Sequence, residues 1–126
     1  MPRNLTAVQL EAFTQFAAME VGLPELRNAL GDLFQFDFGE RARNMEEHFA
    51  APTPGVLIQR RHIAHAVDML QAGKISRRTM MEWATVLLLS NAFELDSSDE
   101  DFIAERLNDL SWDMKMTTEN RQPRTS

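Results

Sequence analysis

The sequence predicts an all-α fold, a single-domain helical bundle of about six helices around a central helical hairpin at residues 56–91. Three observations carry that expectation. Apolar side chains recur at helical spacing before Ala72-Gly73-Lys74-Ile75-Ser76 (Val56, Ile63, Val67 and Leu70, with Ala66 beside them). They recur again after it, as Met80, Ala84, Leu87 and Leu88, with Trp83 on the flank. The connection itself holds a glycine suited to closing one helix and a serine suited to capping the next, and its shortness makes the two helices neighbours. The third observation is negative: the one alternating stretch, Phe34-Gln35-Phe36-Asp37-Phe38, has no evident partner strand. It reads as an extended connection whose aromatics insert into the core.

Along the chain, Thr6-Ala7-Val8-Gln9 has the form of a capping box, and Leu10, Phe13, Phe16 and Ala17 follow as an amphipathic stripe. Gly22 is a stop and Pro24 a restart, opening a second helix marked by Leu26, Leu30, Leu33 and Phe34. Asp37-Phe38-Gly39-Glu40 reads as another capping box, opening a helix through Met45 and Phe49. Ala51-Pro52-Thr53-Pro54-Gly55 ends that helix, as a turn inside one domain. Beyond the hairpin, Ser98-Asp99-Glu100-Asp101 opens a last helix carrying Phe102, Ile103, Leu107 and Leu110, with Trp112 at its end. Residues 1–112 thus form the expected domain, and 113–126, where the apolar periodicity fades, a polar and mobile tail.

Composition narrows the chemistry. The 126 residues are 44% hydrophobic, within the globular range, and long enough to bury a core. With no cysteine, a disulfide framework, a thiolate zinc site and a cysteine nucleophile are all excluded, which fits a cytoplasmic protein. No signal peptide is readable at Met1-Pro2-Arg3-Asn4, and no run approaches the ~18 apolar residues of a membrane span. The net charge of -6 disfavours general nucleic-acid binding and favours encounter with a basic partner.

Catalytic and metal-binding motifs are absent. His62 and His65 share a helix face, but Gln59 and Met45 stand where a Glu-x-x-His pattern would need glutamates before His62 and His48. Glu46 and Glu47 adjoin His48, yet adjacent helical residues diverge by ~100° and would not converge on one atom. There is no G-x-S-x-G, P-loop or H-E-x-x-H. The expectation is a protein with no catalytic residues, no metal and no cofactor.

Two charged groupings remain. Between residues 94 and 109 stand Glu94, Asp96, Asp99, Glu100, Asp101, Glu105 and Asp109 against Arg106 alone. Acids near a helix N-terminus complement its dipole, and a dense anionic face also selects a cationic partner. Phe93 and Trp112 flank the segment as candidate apolar anchors. Asp96-Ser97-Ser98-Asp99-Glu100-Asp101 offers oxygen ligands but lacks the glycine and the twelfth-position glutamate of a calcium loop. The alternative is a helix-turn-helix-like DNA regulator using Arg60, Arg61, Arg77 and Arg78, near the turn that also holds Lys74. A structural subunit of a larger complex is a further possibility.

Gly73-Lys74-Ile75-Ser76, then Glu82-Trp83-Ala84, then Leu107-Asn108-Asp109-Leu110-Ser111 resemble a pattern in small all-helical bacterial immunity-type proteins, over residues 73–112. That resemblance implies a non-catalytic protein that neutralises a cognate toxin, often a nuclease, by binding it. The resulting expectation is an inhibitor or immunity protein whose acidic segment occludes a basic protein partner.

Overall fold

A computed structural model of the protein describes residues 3–38 and 43–111. It corrects the all-α expectation: among these residues, five α-helices are joined by two small sheets of two strands each. The helices are α1 (Ala7–Ala17), α2 (Leu23–Leu30), α3 (Arg60–Gln71), α4 (Arg77–Leu89) and α5 (Glu100–Leu110). The strands are β1 (Phe34–Phe38), β2 (Arg43–Glu47), β3 (Val56–Ile58) and β4 (Phe93–Leu95).

Local capping chemistry sets the helix starts. The Thr6 side chain accepts from the Gln9 amide at 3.2 Å, while the Gln9 side chain accepts from the Thr6 amide at 2.9 Å. Glu25 reaches back to the Gly22 amide at 2.7 Å, with Pro24 in the first turn of α2. Ser76 accepts from the Thr79 amide at 3.0 Å, and Gly73 adopts a φ of 74° to close the turn after α3. These termini lie where the sequence places them.

The strands are where pattern reading fails. Phe34-Gln35-Phe36-Asp37-Phe38 does have a partner: β1 pairs antiparallel with β2, Phe36 opposite Met45 and Phe34 opposite Glu47. The expected helix through Met45 and Phe49 is therefore a strand followed by a single bridge from Phe49 to Arg3. Gly39 and Glu40 of the expected capping box lie outside the described residues, as does the expected tail at 113–126. Val56 is the first residue of β3 rather than of a helix, so the hairpin begins only at Arg60. β3 runs parallel to β4, with Val56, Leu57 and Ile58 opposite Phe93, Glu94 and Leu95.

One core joins these parts. Phe13, Leu26, Ile58, Ala66, Ala84, Val86, Ala92, Ile103 and Leu107 are fully buried, drawing on every helix and on β3. α4 packs mainly on α5, more than on its sequence neighbour α3. Trp83 is buried at 2% exposure, and its indole N–H donates to the carbonyls of Phe16 at 3.1 Å and Ala17 at 3.3 Å. That bond satisfies the indole and ties α4 to the end of α1. Gly55 leaves no room for a side chain before β3: a Cβ there would stand 3.0 Å from the Ala92 carbonyl oxygen and 2.9 Å from the Glu94 side chain. Gly55→Ala is accordingly expected to lower stability by about 1–3 kcal/mol, read by denaturant unfolding. An unchanged midpoint would show that the close approach of the two strand starts is not required.

Candidate functional site

The parallel pair fixes the geometry of the acidic segment. Both strands point the same way, so the helices that follow them, α3 and α5, start side by side. The Asp96 amide donates to the Ile58 carbonyl at 2.9 Å, extending the pairing by one residue. The chain then turns: one Asp96 oxygen accepts from the Ser98 hydroxyl at 2.8 Å and the Ser98 amide at 3.1 Å. Those donors hold the Asp96 carboxyl below the usual carboxylate range. Asp99, at the N-cap of α5, pairs with Arg60, the first residue of α3, at 2.8 Å from the guanidinium Nε. The same guanidinium lies 4.0 Å from the centroid of the Phe102 ring.

The seven acids of 94–109 therefore divide. Glu94, Asp96 and Asp99 serve the fold, since Glu94 accepts from the Gly55 amide at 2.8 Å and the other two are bonded as above. Glu100, Asp101, Glu105 and Asp109 are exposed, and none makes an ion pair or side-chain hydrogen bond among the described residues. Asp101, Glu105 and Asp109 stand four apart, so they line one shallow stripe along α5, opposite the buried Ile103 and Leu107. Phe102 adjoins that stripe at 39% exposure. Phe93 does not: its ring meets that of Phe13 edge-on, 5.3 Å between centroids, at the margin of the core. Trp112 lies outside the described residues.

The four arginines of the alternative reading do not form one free cationic surface. Arg60 is held by Asp99 and Phe102, Arg61 donates to the Gln59 side chain at 2.9 Å, and Arg78 donates to Glu82 at 3.0 Å. Arg77 is exposed at the start of α4.

The histidines and their neighbours follow strand rather than helix geometry where β2 is concerned. Glu46 and His48 emerge on the same side, 3.4 Å apart, while Glu47 turns inward. There Glu47 accepts from the Ser90 hydroxyl and, at 2.8 Å, from the Asn91 amide, and burial pushes its carboxyl above the usual range against the pull of those donors. The link is hidden in the sequence because Glu47 stands beside Glu46 and His48 in a largely polar stretch, and Ser90 lies 43 residues further on. His62 is buried, and its Nδ1 accepts from the Gln59 amide at 3.0 Å, in the place a glutamate or glutamine takes in a capping box. Among the described residues, no three His, Asp or Glu side chains are grouped to hold a metal ion, and no helix is long and apolar enough to cross a membrane.

No protein-family model matches the chain, nor does any curated protein or solved structure.

Burial, then the nearby Arg61, lowers the His62 pKa, so the unfolded chain binds the proton more readily than the folded one. His62 therefore supports the fold fully above its unfolded pKa of about 6.5, and that support is lost as the pH falls toward its lower folded value. Glutamine keeps an acceptor for the Gln59 amide without titrating. His62→Gln should flatten the fall in stability between about pH 7 and pH 5, measured by urea unfolding at each pH. Parallel profiles for the two proteins would assign the fall to other groups.

Proposed function

We propose that this chain is a non-catalytic binding domain that takes a basic protein partner on the exposed face of α5 and acts in the cytoplasm. In that role it is an inhibitor or immunity protein, and a nuclease toxin is the kind of partner implied by the resemblance over residues 73–112.

The observation that carries the reading is the position of Glu105 and Asp109. Helix capping accounts for Glu100 and Asp101, which lie in the first turn of α5 at the positive end of its dipole. It does not account for the other two. Asp101, Glu105 and Asp109 set like charges four apart twice, and Asp109 stands at the negative end of a helix with no basic residue in its last turn. Together these placements cost roughly 1 kcal/mol of local stability. A charge pattern held against helix stability is what a face kept for a cationic partner would carry.

The mechanism is occlusion. Carboxylates on a rigid helix lie across a cationic channel in the places phosphate groups would take. Charge complementarity accelerates encounter and rejects acidic competitors. Phe102, rather than the core-directed Phe93, supplies an apolar anchor, and its loss on binding-site opening governs the off-rate.

The test uses the triple variant Asp101→Lys, Glu105→Lys, Asp109→Lys. The folded wild-type chain should capture a basic protein from its native host that elutes as salt is raised, and the variant should bind that protein with an on-rate at least about tenfold slower. Equal on-rates would remove the reading. Asp109→Lys alone should raise unfolding stability by roughly 0.5 kcal/mol, because relieving the Glu105 repulsion and suiting the helix end outweigh the lost i,i+3 relation to Arg106.

A further inference from the structure

A concave surface of about 360 Å³ lies between the turn after α1, the start of α2 and the first turns of α4, and none of its lining residues belongs to α5. Its accessible apolar surface comes from the half-buried Met19, Val21 and Ile75, over a floor of Phe16, Leu23 and Trp83 that the core already buries. Two features make this surface fixed. The Trp83 indole is locked by its bonds to the Phe16 and Ala17 carbonyls, and Met19 holds a φ of 60°. That backbone region suits glycine or asparagine and costs a bulky residue of order 1 kcal/mol, and it places the Met19 side chain at the groove. The volume falls within the roughly 300–1,000 Å³ range of ligand sites.

The charge of the rim says what enters. Every charged residue lining the groove is acidic: Glu20, Glu25 and Glu82. Glu25 commits one oxygen to the Gly22 amide and Glu82 pairs with Arg78, while the Glu20 carboxylate has no partner among the described residues. These carboxylates come from three separate elements, so cations meeting them stand on more than one side of whatever fills the apolar centre. A monoamine has one charge to offer, and a polyamine has several but no bulky apolar group for the centre of the groove. A polypeptide offers several, at fixed spacing about an apolar side chain.

We propose that this groove docks a basic polypeptide segment, seating one leucine or phenylalanine among Met19, Val21 and Ile75 with lysine or arginine residues flanking it against Glu20 and the Glu82 oxygen that Arg78 leaves open. The inference is independent of the α5 face, and the two are tested apart.

The probe is the peptide Ac-Gly-Lys-Lys-Leu-Phe-Lys-Lys-Gly-amide, titrated into the ¹⁵N-labelled full chain. Saturable shifts are expected at the amides of Met19, Val21, Ile75 and Thr79 and at the Trp83 indole N–H. Replacing Leu-Phe in the peptide by Ser-Ser should weaken binding about tenfold or more. Glu20→Lys in the protein should weaken it about threefold or more, with Glu20→Gln as the milder variant if the reversal disturbs the turn. The Asp101→Lys, Glu105→Lys, Asp109→Lys chain should show the same groove shifts as wild type. Shifts confined to α5, equal binding of the Ser-Ser peptide, or no saturable change in the groove would each overturn the proposal.

Discussion

The parallel pairing of β3 with β4 is the constraint on which the rest of the molecule depends. Two three-residue strands contribute few hydrogen bonds, and alone they would not persist in water. Because they run parallel, the chain between them must cross over, and α3 with α4 supplies that crossover. The crossover buries Ile63, Ala66, Ala84 and Val86 in the same core as Ile58. Packing thus holds the strands in register, and the register in turn fixes where α3 and α5 begin. Arg60 and Asp99 meet because each stands just past the end of one of two strands that finish together.

That meeting resolves an electrostatic conflict. Arg60 is a cation at the positive end of α3, a position a helix dipole disfavours. Asp99 offsets the charge, and the Phe102 ring covers the guanidinium face. The acidic segment is sorted by the same geometry. Residues up to Asp99 lie on the rim of the sheet, where amide, hydroxyl and guanidinium donors await them; residues from Glu100 onward lie on a helix whose neighbours are elsewhere.

How much of this was legible follows from the range of each interaction. Capping boxes and the glycine-serine turn act within four residues, so Thr6–Gln9, Gly73 and Ser76 announce themselves in the sequence. β3 and β4 are three residues each, too short for any period to register, and their pairing spans a helical hairpin. β2 was disguised differently. Its inward positions include Glu47, a carboxylate that needs Ser90 and Asn91 to be tolerated there, while Met45 and Phe49 fall by chance at helical spacing. Of the three acids bound by the fold, Asp96 meets Ser98 only two residues on, whereas Glu94 and Asp99 look no different in the sequence from the free ones, since their partners Gly55 and Arg60 are 39 residues away in the chain.

The four free carboxylates differ from an acidic tail in one physical respect. Ile103 and Leu107 are wholly buried against the core, so the backbone of α5 is already ordered before any encounter. A disordered acidic segment would lose roughly 1–2 kcal/mol of backbone entropy per residue on being fixed against a partner. Carboxylates on α5 lose only side-chain freedom, so more of their Coulombic attraction remains as binding free energy. The repulsion among Asp101, Glu105 and Asp109 acts in the same direction, since a cationic surface relieves a strain that the free helix bears. The repulsion alone would be a defect in a helix serving stability; joined to a rigid backbone, it raises the gain available from a cation of the right spacing.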